Sequence, residues 1–184
     1  MDKRRCAWCS GDKLYQKYHD SEWGTPCYDD KILFEFLILE GAQAGLSWIT
    51  ILRRREGYRE AFHNFEVAKV AAMTVSDVER LMQFDGIIKN RLKIQSAISN
   101  AQLFMQIQAS FGSFSNYIWS YFPNKKPIRH DFSKGAIPVR TEISDKIAKD
   151  MKKRGFKFFG TTICYAYMQA MGMTNDHEPA CFKF

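Results

Sequence analysis

KILFEFLILEGAQAG, residues 31–45, is apolar on nearly every face of a helix. A surface helix carries a single apolar stripe, so a segment without a polar face runs through a core. Asp29 and Asp30 stand where an N-cap and a first-turn acid belong, and the helix is expected to open there. Extended to Leu52, the run reaches the length that spans a bilayer, about 20 residues. Glu35 and Glu40 lie inside it, each costing about 3 kcal/mol near the membrane centre when charged, and Gln43, Gly41 and Gly45 weaken it further. The stretch therefore reads as the buried helix of a soluble domain, and no membrane partner is expected.

Outward from this helix the chain stays helical in pattern. SDVERLMQ begins at Ser76 with Glu79 three residues on, the spacing of a capping box. From Asn90 to Ala109, Ile94, Ala97, Ile98, Ala101 and Met105 recur at helical spacing. A short helix is expected over 113–122, ended by Pro123, followed by a proline-bearing loop to Val139. Thr161 or Thr162 caps ICYAYMQAM, which Gly172 terminates. Alternating strands are scarce, so an all-α fold is expected. With 184 residues, 46% hydrophobic and 26% charged, the chain can bury one core, and wholesale disorder is excluded.

The balance of 27 Lys+Arg against 20 Asp+Glu makes an anionic partner plausible without choosing among nucleic acid, membrane surface and solubility. MDKRRCAWCS has no apolar run behind its charges, so no secretory leader is expected and the cytoplasm is the default location. Five scattered cysteines suit reduced thiols or metal ligands better than a disulfide framework. NDHEPAC, residues 175–181, puts His177 and Cys181 four positions apart in a stretch too short to build a core. Cys6 and His19, in CAWCSGDKLYQKYH, could complete a Cys2His2 zinc site that joins the two ends, and Cys9 could stand in for Cys6. Four protein ligands leave no open position, so such a zinc would be structural. Cys164, in an apolar helix, reads as a small hydrophobe.

Trp8, Tyr15, Tyr18 and Trp23 crowd around LYQKYHDSEWG, and Trp48 follows Glu40 by eight residues. Such rings serve either as core or as the walls of a slot for a flat cation. Glu40, set among Leu37, Ile38, Leu39, Ala42 and Ala44, is costly unless something donates to it or binds it, so it is either a satisfied structural acid or a ligand-facing group. Arginine and lysine fall in clusters at 53–55, at Lys89, Arg91 and Lys93, and at 152–154. The middle cluster follows FDGII, where a glycine turn at Gly86 could present amides and cations to a phosphate.

LYQKYHDSEWG, LEGAQAGLSWITILRRRE, FDGIIKNRLKI, RGFKFFGTTICYAYMQA and NDH, in this order and spread over nearly the whole chain, resemble the DNA-3-methyladenine glycosylase I family of bacterial repair enzymes. The resemblance implies one domain over 1–184 with a helix-hairpin-helix glycosylase fold, its hairpin lobe at about 60–125 and its terminal segments stapled by one structural zinc on Cys6, His19, His177 and Cys181. It further implies an N-glycosyl hydrolase that acts on double-stranded alkylated DNA and flips out 3-methyladenine. No Schiff-base lysine is identifiable in the sequence, so an abasic site left in an uncut strand is expected, and a monomer is the default expectation. Carried over by position, Glu40, ionised, and Tyr18 make polar contacts to the base, Trp48 stacks on it, Trp8, Tyr15 and Trp23 form walls, and Gly86, Lys89, Arg91 and Lys93 grip DNA. Two features depart from the wider superfamily or its longer members. LFMQIQAS, residues 103–110, lacks the catalytic Asp many helix-hairpin-helix glycosylases carry about 20 residues beyond the hairpin, and only FKF follows Cys181. A zinc-stabilised DNA-binding module without catalysis is the competing expectation, and a glycosylase for another lesion a third.

Overall fold

Ten α-helices and one two-stranded sheet make up the described part of the computed structural model, residues 3–184 with the Lys134 side chain excepted. In chain order the helices are α1 Lys13–Ser21, α2 Asp30–Gln43, α3 Trp48–Leu52, α4 Arg55–Ala61, α5 Val67–Ala71, α6 Val75–Met82, α7 Arg91–Phe111, α8 Phe114–Trp119, α9 Glu142–Arg154 and α10 Thr161–Ala170. The strands are β1 Ile128–Arg129 and β2 Thr174–Asn175, paired in parallel. Among the described residues no helix is long and apolar enough to cross a membrane.

As its pattern predicts, α2 is the axis of the fold. Asp29 caps it, its carboxylate accepting from the Ile32 amide, and every residue from Leu33 to Ala42 is buried. At about 1.5–3 kcal/mol for each fully buried Leu, Ile or Phe, this one helix is a major part of the core. Asp30 does a second job: its carboxylate accepts from Gln108 Nε2 and from the Phe114 and Ser115 amides, fixing the start of α8 against α2 and α7. Glu35 is compensated by Arg55 at 2.7 Å and Arg59 at 2.9 Å.

Several boundaries differ from the sequence reading. The capping box of α6 is formed by Thr74 and Asp77, not Ser76 and Glu79, because the N-cap lies two residues earlier. Gly160 occupies the N-cap of α10, and the Thr161 hydroxyl donates instead to Asp145 of α9. The segment after Pro123 is not all loop, since β1 lies beside β2 and brings it against the NDH stretch. The apolar run over 32–52 breaks at Gly45, whose φ of +80° turns the chain from α2 into α3.

The termini meet. The Phe182 amide donates to the Arg4 carbonyl at 2.9 Å and the Ala7 amide to Glu178 Oε1 at 3.0 Å. Gly57 of α4 and Gly86, in the turn between α6 and α7, pack backbone to backbone, so that a Cβ on Gly57 would overlap the Gly86 carbonyl. Gly57→Ala gains at most about 1 kcal/mol of helix propensity, whereas overpacking against rigid backbone costs about 1–3 kcal/mol. A lower denaturant midpoint with an unchanged slope is the expected result, and equal stability would show that the turn can move away.

Candidate functional site

A cavity of about 210 Å³ opens between α1, the end of α2, the start of α3, and α10. All six residues predicted for a ring pocket, Trp8, Tyr15, Tyr18, Trp23, Glu40 and Trp48, line it. Local structure explains the convergence. Asp12 caps α1 by accepting from the Leu14 and Tyr15 amides, and the three-residue spacing places Tyr15 and Tyr18 on one face. Trp48 is the first residue of α3 and packs over the Tyr18 ring, centroids 5.5 Å apart, and the Phe36 ring at 5.9 Å. Trp8 meets Tyr15 edge-on at 4.8 Å and Trp23 at 5.0 Å.

Three buried polar atoms of the cavity lining lack a hydrogen-bond partner. Glu40 is 3% exposed, and its Oε2 is buried without a hydrogen-bond partner, as are the indole nitrogens of Trp8 and Trp48. Glu35, five residues earlier on the same helix, has two guanidinium partners, so the orphaned state belongs to Glu40's position and not to a shortage of cations in the fold. Burial pushes the Glu40 carboxyl up to about 8. The direction of that shift favours the protonated carboxyl wherever no cation stands beside it. Burial, helped by Glu40, also raises the Tyr15 and Tyr18 phenols, which remain donors.

Sequence reasoning missed Gln43, Gln169, Asp176 and Glu178, which also line the cavity. The Asp176 carboxylate accepts from Tyr165 Oη at 2.6 Å, Thr174 Oγ1 at 2.7 Å and Gln169 Nε2 at 2.8 Å, so it anchors one wall to α10. Its signal was its place beside His177 in NDHEPAC, where only His177 and Cys181 were given a role.

Behind this wall Cys6, His19 and Cys181 are buried, with their ligand atoms all within 4.8 Å of one another. Cys9 is the poorer candidate, because its thiol donates to the Cys6 carbonyl at 3.2 Å. His177 stands outside the cluster of three but next to it, its ring 5.1 Å from that of His19. Its Nδ1 lies 3.1 Å from Asn175 Oδ1, and its buried Nε2 has no partner. On the other side His19 Nδ1 is 2.9 Å from Asp20, which Arg5 holds in turn, the outer arrangement that orients a metal-binding imidazole. Two thiols and an oriented imidazole are a donor set that could hold a metal ion, with the orphaned His177 nitrogen beside them.

The four residues expected to grip DNA are less uniform. Lys89 pairs with Asp85, and Arg91 makes a two-bond pair with Glu79; both remain partly exposed. Gly86 packs on Gly57. Lys93, the fourth of them, turns its ammonium inward, donating to the Ala42 carbonyl at 2.8 Å and the Ala44 carbonyl at 2.6 Å. Carbonyls left unpaired at the end of α2 outcompete solvent for it.

Residues 8–184 match the sequence model of the methyladenine glycosylase family. The chain is 51% identical over 177 residues to DNA-3-methyladenine glycosylase 1 of Escherichia coli, covering 96% of this chain and 95% of that protein. It superposes on a crystal structure of 3-methyladenine DNA glycosylase I with a TM-score of 0.91, at 50% identity, over 97% of this chain and 98% of the other. A second such enzyme, a variant solved in complex with 3-methyladenine, gives a TM-score of 0.91 at 39% identity over 97% of this chain and 96% of the other. The chain belongs to the methyladenine glycosylase family.

Proposed function

From that membership we propose that this protein is a repair glycosylase that hydrolyses the bond between 3-methyladenine and deoxyribose in alkylated double-stranded DNA. The observation that carries the reading is an unpartnered buried carboxyl on the wall of an aromatic cavity. A buried carboxyl without a partner costs several kcal/mol, and it persists where a ligand supplies the missing contact.

The lesion supplies it. A base inside a duplex cannot be read at its edge, so the nucleotide turns out into the pocket. Methylation at N3 makes the adenine ring cationic, and electron-rich rings favour a cation over the neutral base. As it arrives, Glu40 releases its proton to solvent, and the carboxylate then accepts from the adenine edge, with Tyr18 as a polar contact, Trp48 stacked on the ring and Trp8, Tyr15 and Trp23 as walls. The C1′–N9 bond breaks, the base leaves neutral, and water forms the new C1′–O bond as its proton passes to solvent. The cation is already a good leaving group, so no general base is required, which accords with the acid-free 103–110 segment of α7.

Zinc held by Cys6, His19, His177 and Cys181 staples the terminal segments, and its role is structural. Lys89, Arg91 and the Gly86 turn, in a hairpin lobe over about 60–125, face the phosphate backbone. The protein works as a monomer in the cytoplasm and uses no lysine Schiff base.

The test is chromatography of the bases released from methylated duplex DNA. Free 3-methyladenine is expected, with abasic sites left in uncut strands and little 7-methylguanine or hypoxanthine freed. Retention of lesion-bearing DNA without base release would make the protein a binder, and lysine-dependent strand cleavage would end the monofunctional assignment.

A further inference from the structure

Lys93 stands at the start of α7, immediately after the hairpin, where a basic residue is expected to reach for phosphate. Its ammonium instead spans two carbonyls of another element, Ala42 in the last turn of α2 and Ala44 at its C-cap. These groups have no amide partner further along their own helix, and a cation there also meets the negative end of the helix dipole. Ala44 opens the four-residue connection that leads to Trp48, while Glu40 and Gln43 occupy the last turn of α2. Asn90 fixes the other end by capping α7 through the Lys93 amide at 3.1 Å.

We infer that Lys93 is a positioning residue of the base pocket, clamping the end of α2 so that the Glu40 carboxyl and the Trp48 ring keep their spacing, and that it makes no phosphate contact. The inference rests on the proposed glycosylase reading and assigns a different duty to one of the residues expected to grip DNA. Connections between helices are otherwise soft, and Gly45, at φ +80°, leaves this one no side chain to pack at its turn. A clamp of two charge-assisted hydrogen bonds replaces that missing packing.

Lys93→Met keeps the aliphatic stem and removes the donors. Binding of free 3-methyladenine is expected to weaken about tenfold, a difference of about 1.4 kcal/mol, and kcat for base release to fall while KM for DNA holds. Affinity for undamaged duplex should stay within about twofold, with its salt dependence unchanged, since a lost phosphate contact would shrink that slope by about one. Should the methionine variant fail to fold, Lys93→Gln, which keeps one donor, is read by the same measurements. Unchanged base binding overturns the inference, and so does reduced duplex affinity with a shallower salt slope. Wild-type protein that binds no 3-methyladenine would instead overturn the functional reading.

Discussion

Glu40→Gln is expected to lower release of 3-methyladenine from methylated DNA by about 10²–10³-fold, and to weaken binding of the free base, while making the unliganded protein more stable at alkaline pH. The two effects have one cause. An amide cannot supply the negative charge that a cationic ring draws from the carboxyl, and losing one partner of a buried charge pair costs about 3–5 kcal/mol, which spans that range in rate. Stability moves the other way. Folding raises the Glu40 carboxyl from 4.5 to about 8 because the cavity cannot solvate the anion. Below pH 4.5 both folded and unfolded chains carry the proton and no penalty arises. Between 4.5 and about 8 the unfolded chain ionises and the folded one does not, so stability falls with rising pH, by on the order of a few kcal/mol when the whole window has been crossed. Glutamine does not titrate, so the variant's thermal midpoint should stay flatter across that window and exceed wild type at pH 8–9. Wild-type base release and binding in the variant would remove Glu40 from the reaction, and parallel stability curves for the two proteins would mean that the carboxyl is satisfied by local contacts.

How much of this was legible beforehand depended on the range of the interaction. The course of α2 followed from residues 31–45 alone, because burial on every side leaves a local trace in composition. The six pocket residues were legible as ring types and an isolated acid, since neither is cheap to bury without a reason. Asp176 was not, because an acid whose three donors come from Tyr165, Gln169 and Thr174 looks in sequence like any surface aspartate until α10 and β2 are folded together. The contacts of Lys93 were hidden for the opposite reason: its local setting beside Lys89 and Arg91 suggests phosphate, while its hydrogen-bond partners lie some fifty residues away at the end of α2. The α6 capping box was displaced because Thr74–Asp77 and Ser76–Glu79 satisfy the same spacing rule, and only the packing of α6 selects between them.

Removing the metal should produce the largest loss of stability in the molecule. Cys181 joins Cys6 and His19 at the junction of the chain ends, where direct connections include single backbone bonds such as Phe182 to Arg4. The wild-type chain is expected to carry one zinc by elemental analysis, and Cys181→Ser to lose it, because a neutral hydroxyl is a weak substitute for thiolate. A structural zinc contributes directly to folding, about 10–16 kcal/mol in peptides that fold only with metal. Here much of the fold is secured by the α2 core, so a partial loss of about 3–5 kcal/mol is expected, or roughly 10–15 °C in a domain of this size. The damage should also reach the cavity. His19 follows Tyr18 directly on α1, and Asp176 precedes His177 on the segment that holds Gln169 to its wall. Loss of metal in Cys181→Ser is therefore expected to weaken free-base binding even at temperatures where the variant remains folded, whereas Cys164→Ala, at a thiol buried in α10 away from the cluster, should keep its zinc. Zinc retained in Cys181→Ser would move the ligand set toward Cys9, and zinc lost without any fall in thermal midpoint would remove the staple from the account of how the two ends are held.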